Sequence, residues 1–226
     1  MSTLLQLEDI VFAWPGSQQP ILRGASLTLR EGERLALLGG NGCGKSTLLH
    51  LAAGLVRPAA GRIFHAGREC VTEKDFIILR RALGYLLQHS ENQLFCPTVL
   101  EDVAFGLANQ GMAETKAIQE AQAVLERLKL AHLAGRAGAT LSGGEQKLAA
   151  LATILAMRPR FLFLDEPTNS LDARAREHLC DVLAAQALPM LVISHDRAFV
   201  QAHCTGFCRL QDGRISPVDG PDSCCA

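Results

Sequence analysis

Residues 39–47, Gly39-Gly40-Asn41-Gly42-Cys43-Gly44-Lys45-Ser46-Thr47, fit the phosphate-loop pattern GxxxxGK followed by Ser or Thr. Before them, Arg34-Leu35-Ala36-Leu37-Leu38 has the length and apolar character of a strand. After them, Leu48-Leu49-His50-Leu51-Ala52-Ala53, closed by Gly54, reads as a helix. This strand, loop and helix context is what the motif requires. Glycines let successive backbone N–H groups close around phosphate oxygens, and the helix start adds the positive end of its dipole. Lys45 is expected to reach the β- and γ-phosphates of a nucleoside triphosphate, and the Ser46 hydroxyl to ligate Mg²⁺. The expected fold is therefore α/β, a phosphate-loop core with a parallel-rich central sheet.

At 226 residues the chain suits one large α/β domain or two small ones. Its 22 Lys and Arg against 23 acids give a net charge of −1, so nothing points to a nucleic-acid backbone as partner. The N-terminus carries Glu8 and Asp9 where a signal peptide needs an apolar core, and no apolar run approaches about 18 residues. The expectation is a chain that neither crosses a membrane nor leaves the cytosol by itself. Eight cysteines (43, 70, 96, 180, 204, 208, 224 and 225) lack a paired CxxC framework and read as free thiols. Cys204, Cys208, Cys224, Cys225 and His203 could make a thiolate metal site, although their spacing is not a zinc pattern.

Residues 4–14 and 21–30 read as an antiparallel pair of strands broken at Pro15-Gly16-Ser17 and leading into the phosphate-loop strand. Trp14, the sole tryptophan, could stack on a nucleobase or simply pack on the hairpin. Further strands are expected at 61–67 and 83–87. Gln88 lies just past the second, where ligands of open α/β sheets gather and where a glutamine could touch Mg²⁺ or the attacking water. Thr98 with Glu101 forms a capping-box pattern opening a helix with Leu100, Val103, Ala104 and Leu107 on one face. A second helix, about 113–129, places Ile118, Ala121, Leu125 and Leu128 at helical spacing. These apolar faces suit either a docking partner or an intramolecular core.

Leu141-Ser142-Gly143-Gly144-Glu145-Gln146 repeats the capping-box pattern, with a helix running through Leu148, Leu151, Ile154 and Leu155 to Pro159. Glycines behind the cap leave backbone N–H groups at a positive helix end, either a second anion-binding site or an ordinary capped helix. Phe161-Leu162-Phe163-Leu164 reads as a strand buried on both faces and delivers Asp165 and Glu166 at its end. There the aspartate can hold the Mg²⁺ shell and the glutamate can polarise a water for attack on the γ-phosphate. Asp172 opens the next helix, where N-capping is its plain role. Met190-Leu191-Val192-Ile193-Ser194 is another buried strand, and His195 after it is placed for a γ-phosphate contact. The chain from 217 on, with Pro217, Gly220 and Pro221, reads as an irregular tail.

With these residues assembled, the chain resembles an ATP-binding cassette (ABC) ATPase over nearly its whole length, in the family's own motif order. The resemblance implies an N-terminal antiparallel β subdomain, a helical signature subdomain at about 89–158 and one ATPase domain spanning 1–216. It implies ATP and Mg²⁺ as cofactors, with Ser46, Gln88 and Asp165 toward the metal and Asp172 in a dimer-coupling loop. It also implies a head-to-tail dimer in which the Ser142 to Gln146 helix end of one subunit closes on the γ-phosphate held by the other. Cys43 stands where the family often has serine or alanine. It is not a phosphate ligand through its side chain, so activity should survive.

More narrowly, Gln88-His89-Ser90-Glu91-Asn92-Gln93-Leu94-Phe95-Cys96-Pro97-Thr98-Val99 and Glu101 to Gly106 look like the ATPase subunits of energy-coupling factor importers, including the cobalt and nickel systems. That resemblance implies a second ATPase subunit, a transmembrane coupling protein and a substrate-capture membrane protein as partners. It puts the chain at the cytoplasmic face of the membrane, with cobalt, nickel or a vitamin as cargo. Many members of this subgroup carry an extra C-terminal domain, and the resemblance stops about where the nucleotide-binding core ends. The alternatives are an ATPase of another ABC importer or exporter, or a soluble ABC ATPase acting on DNA or ribosomes. The last should show a long coiled coil between the motifs or two cassettes in one chain, and the sequence has neither.

Overall fold

The computed structural model describes residues 2–221. In chain order the elements are β1 (Thr3–Phe12), β2 (Leu22–Arg30), β3 (Arg34–Leu38), α1 (Lys45–Ala52), β4 (Ala60–His65), β5 (Arg68–Glu69), α2 (Glu73–Ala82), β6 (Leu83–Leu86), α3 (Val99–Asn109) and α4 (Glu114–Arg127). They continue with α5 (Gly143–Ala156), β7 (Phe161–Asp165), α6 (Ala173–Ala185), β8 (Met190–Ile193), α7 (Arg197–His203), β9 (Gly206–Gln211) and β10 (Arg214–Val218). The described residues divide into two units: 2–83, 160–166 and 187–221 form one, and 84–159 and 167–186 the other.

The first unit holds a four-stranded antiparallel sheet in the order β2-β1-β4-β5. The expected pair of N-terminal strands is β1 with its edge neighbour β2, with Leu5 opposite Leu29 and Leu7 opposite Leu27. All four of these leucines are buried, as the alternation of a half-buried strand dictates. The other sheet runs β10-β9-β3-β8-β7-β6, with β3 parallel to both β8 and β9 and β7 parallel to β8. In β7 every residue is buried, because a parallel strand covered on both faces needs a continuous apolar run. Each fully buried Phe or Leu here contributes about 1.5–3 kcal/mol relative to exposure. These strands end in register, so the residues that follow β3, β7 and β8 emerge along one sheet edge.

Two sequence expectations need correction. Residues 217 and 218, expected to be irregular, belong to β10, which continues through Val218 with Pro217 opposite Cys208. Proline is tolerated there because β10 is an edge strand. Residues 222–226 lie outside the described residues. Helix α2 was not expected at all. Its N-cap Thr72 donates through N and Oγ1 to Asp75 Oδ2 at 2.7 and 2.6 Å, and Phe76 and Leu79 are its buried residues.

The second unit contains α3 to α6. Its extent, 84–159 plus 167–186, takes in α6 as well as the expected stretch 89–158. The reason lies in a close approach: a Cβ on Gly144 of α5 would stand 2.7 Å from Ala175 Cβ of α6. Val103, Ala104 and Leu107 of α3, Ala121 and Leu125 of α4, and Leu148, Leu151, Ile154 and Leu155 of α5 are buried. Of the two uses open to the helical apolar faces, these residues therefore serve as core. Leu100 and Ile118 are only partly buried. What the unit does expose is Phe95 and Phe105, at 65% and 44%, packed edge to face with ring centres 5.0 Å apart. The buried Asp102 carboxylate accepts from the backbone N–H groups of Phe95 and Cys96 at 3.0 and 2.9 Å, which fixes the loop before α3.

Candidate functional site

The phosphate loop joins β3 to α1, and its first residue is held by a near neighbour in space. Gly39 has φ 150°, and a Cβ there would lie 2.5 Å from the Leu210 carbonyl oxygen and 2.8 Å from Cys43 Sγ. Only glycine fits between the end of β9 and the folded-back Cys43 side chain. Gly44 N-caps α1 in a left-handed conformation, and Lys45 and Thr47 are buried in the helix's first turn. Lys45 Nζ donates to the carbonyls of Gly39 and Gly40 at 2.8 and 3.0 Å, so its ammonium arches back over the loop.

Of the two roles open to Trp14, the structure shows the packing on the hairpin. Its ring packs edge to face on Phe12 at 5.1 Å, its Nε1 donates to Thr47 Oγ1 at 3.3 Å, and it remains 42% exposed. The indole is thus anchored at one end and open on a flank beside the loop.

Asp165 ends β7 as a buried carboxylate opposite Ile193 of β8. Glu166 follows with φ 49°, a left-handed backbone that non-glycine residues seldom adopt. Its N–H donates to the Ile193 carbonyl at 2.8 Å, which holds the turn in place. The side chain meets His195: Glu166 Oε1 lies 3.5 Å from His195 Nε2, and the His195 backbone N–H donates to Glu166 Oε2 at 3.3 Å. Burial pushes the Glu166 carboxyl above its ordinary range and Asp165 adds to this, while the His195 backbone N–H, the His195 imidazole and Lys45 pull the other way. A buried carboxylate whose pKa is raised is a better proton acceptor than a solvated one.

In the second unit Gln88 is exposed, just past β6. Its loop is fixed by Gln93, a residue that sequence reasoning passed over: Gln93 Nε2 donates to Tyr85 O at 2.9 Å, and Gln93 Oε1 accepts from Leu87 N–H at 3.0 Å. Ser142 and Glu145 form the full capping box of α5, with Ser142 N donating to Glu145 Oε2 at 2.8 Å and Glu145 N to Ser142 Oγ at 3.3 Å. Gln146 donates to Gly138 O at 3.0 Å, and the buried Lys147 to Asn169 O at 3.4 Å. Asp172 does cap α6, accepting from Ala175 N–H at 2.7 Å. Ser142, Glu145 and Asp172 line one cavity of about 460 Å³.

Among the described residues no group of three or more His, Cys, Asp or Glu could hold a metal ion. Cys204 and Cys208 are buried, and burial pushes both thiols up to about 12. Cys224 and Cys225 lie outside the described residues.

A phosphate loop between a buried parallel strand and a helix, with a carboxylate pair ending another strand of the same sheet, defines the class of phosphate-loop ATPases. Within it the chain belongs to the ABC transporter family, whose sequence profile matches residues 22–169. An ABC transporter ATP-binding protein of Nitratidesulfovibrio vulgaris is 48% identical over 212 residues, covering 94% of this chain and 78% of that protein. The energy-coupling factor transporter ATP-binding protein EcfA of Methanothermobacter thermautotrophicus is 38% identical, over 85% of this chain and 63% of its own length. The cobalt import ATP-binding protein CbiO of Syntrophus aciditrophicus is 35% identical, over 85% and 70%. Among solved structures, cbiO1 from Clostridium perfringens, part of the ABC transporter complex cbiONQ, is similar with a TM-score of 0.84 and 29% identity, covering 99% of this chain and 90% of that one. The chain is an ATP-binding, ATP-hydrolysing subunit of a transporter.

Proposed function

We propose that the chain energises an energy-coupling factor type importer from the cytoplasmic face of the membrane. Its partners in this reading are a second ATPase subunit, a transmembrane coupling protein and a substrate-capture membrane protein. The cargo is a transition-metal ion, cobalt or nickel, with a vitamin as the next candidate. The observation that carries the reading is the segment Gln88 to Gly106, whose sequence resembles this subgroup and whose exposed Phe95 and Phe105 offer an apolar docking point. The EcfA and CbiO relatives support it.

In this reading the loop residues Gly39 to Thr47 hold the phosphates through backbone N–H groups, and Lys45 exchanges its two carbonyl partners for β- and γ-phosphate oxygens. Trp14 stacks on the base. Ser46 and Asp165 offer oxygen donors that suit a hard cation, Gln88 is a further oxygen donor by resemblance, and Mg²⁺ held by such donors would neutralise charge on the phosphates. Glu166 orients and deprotonates the attacking water, and His195 contacts the γ-phosphate. The Leu141 to Gln146 helix end of a second chain supplies the remaining wall, with Asp172 coupling the two. Motion between nucleotide-bound and released dimers then drives the membrane subunits.

Purification of the tagged chain from native membranes tests this. The expected outcome is recovery with two small membrane proteins, and ATP-dependent cobalt or nickel uptake by vesicles containing the complex. Recovery with ribosomes or DNA, and without membrane proteins, would overturn it.

A further inference from the structure

We propose that a cavity of about 480 Å³ beside the entry to the phosphate loop is a holding site for inorganic phosphate, with Arg209 as its dedicated ligand. Its wall includes Gly40, Lys45, His195, Arg197 and Arg209. The inference rests on the ATPase reading above, since it takes the phosphate released there as its ligand.

The position of Arg209 is fixed by the sheet. Strand β9 is parallel to β3 with Leu38 opposite Arg209, so Arg209 reaches the sheet edge alongside the start of the phosphate loop. Along β9, Cys208 and Leu210 are buried while Arg209 points to the other face. Its Nε and Nη2 are shielded from solvent and, among the described residues, donate to no acceptor. Shielded guanidinium donors are costly to leave without an acceptor, and their planar fork matches phosphate oxygens.

The surroundings select an anion. Lys45, His195, Arg197 and Arg209 all contribute to the wall, and none of the described residues lining it is an Asp or Glu. A concavity lined by one sign of charge concentrates the opposite ion. Lys45 Nζ, bonded to Gly39 O and Gly40 O, brings its ammonium to that wall.

The route to the site is short, because Lys45 and His195 are also the residues assigned to the γ-phosphate. In hydrolysis the water oxygen bonds to the γ-phosphorus and the bond to the bridging oxygen breaks, leaving ADP and inorganic phosphate. The freed ion then passes from His195 to Arg209 with no further covalent change.

The test uses the whole chain with Mg·ADP and inorganic phosphate as the probe. Wild-type protein should bind phosphate, and phosphate should inhibit turnover. Arg209→Gln should weaken phosphate binding tenfold or more while ADP affinity moves less than threefold, and Arg209→Lys should recover part of the loss. Equal phosphate affinity in wild type and Arg209→Gln overturns the proposal, as does an equal loss of ADP and phosphate binding. Should Arg209→Gln fail to fold, Arg209→Lys and the wild-type titration decide: no phosphate binding at millimolar concentration by the wild type is also fatal. Failure of the ATPase reading is seen separately, as wild-type protein that does not hydrolyse ATP, and failure of the γ-phosphate assignment as hydrolysis that survives both Lys45→Ala and His195→Ala.

Discussion

Glu166 and His195, 29 residues apart in sequence, are joined twice: Oε1 to Nε2 at 3.5 Å, and Oε2 to the His195 backbone N–H at 3.3 Å. One contact can come and go with the imidazole, and the other belongs to the backbone. The carboxylate is thereby aimed by the main chain and tuned by the ring.

Replacing Glu166 with Gln should lower ATP turnover by about 100-fold or more while ATP still binds. The same variant should melt at a higher temperature than wild type at neutral pH. Burial raises the carboxyl's pKa in the folded state, so ionisation there opposes folding. The burden is absent below the ordinary carboxylate pKa and develops as pH rises through the raised value. Thermal melts of both proteins from pH 4 to 8 should therefore converge at the acid end; a constant offset would count against a buried, titrating Glu166.

His195→Ala removes the imidazole but keeps the backbone donor. Turnover should fall by about 10²–10³, as for loss of one donor to a developing charge. The acid limb of the kcat profile should also move to higher pH, because the imidazole is one of the groups favouring ionised Glu166. If residual activity keeps the wild-type limb, that limb belongs to some other group.

Gly39→Ala must push a methyl against Leu210 O and Cys43 Sγ from a left-handed backbone. It should cost about 1–3 kcal/mol of stability and weaken ATP binding. Gly40→Ala meets nothing within 4 Å and has no positive φ, so its stability should stay within about 0.5 kcal/mol of wild type. Denaturant unfolding of the pair separates backbone crowding from a general intolerance of the loop.

Cys43 offers a chemical probe. It is only partly buried under the phosphate loop, whereas burial pushes the thiols of Cys204 and Cys208 up to about 12. A small thiol reagent should inactivate ATP hydrolysis, ATP should protect, and Cys43→Ser should resist. Equal inactivation of Cys43→Ser would move the reactive thiol elsewhere.

The parallel strands were legible because each is a short apolar run ending in a chemically informative residue, as Leu164 gives way to Asp165. The capped helices were legible because Ser142 with Glu145 states its role locally. Helix α2 escaped notice because Ile77 and Ile78, 41% and 56% exposed, blur the helical spacing set by Phe76 and Leu79. Its cap pairs Thr72 with Asp75 instead of the usual Glu or Gln. Gln93 and Arg209 were hidden for another reason. A glutamine in a loop and an arginine in an alternating strand carry no local signal, and their surroundings form only when distant segments meet. For Arg209 those segments are some 160 residues apart, around Lys45 and Gly40.

The two units alternate along the chain, which passes between them after Leu83, Pro159, Glu166 and Gln186. Neither unit can therefore be excised as a single contiguous stretch of gene. Inheritance is affected as well: recombination that swaps the helical unit between homologues needs paired crossovers on either side of Arg160 to Glu166, or it severs Glu166 from the strand that aims it. Shuffled or chimeric versions of this protein should keep activity only when both crossover sets are respected.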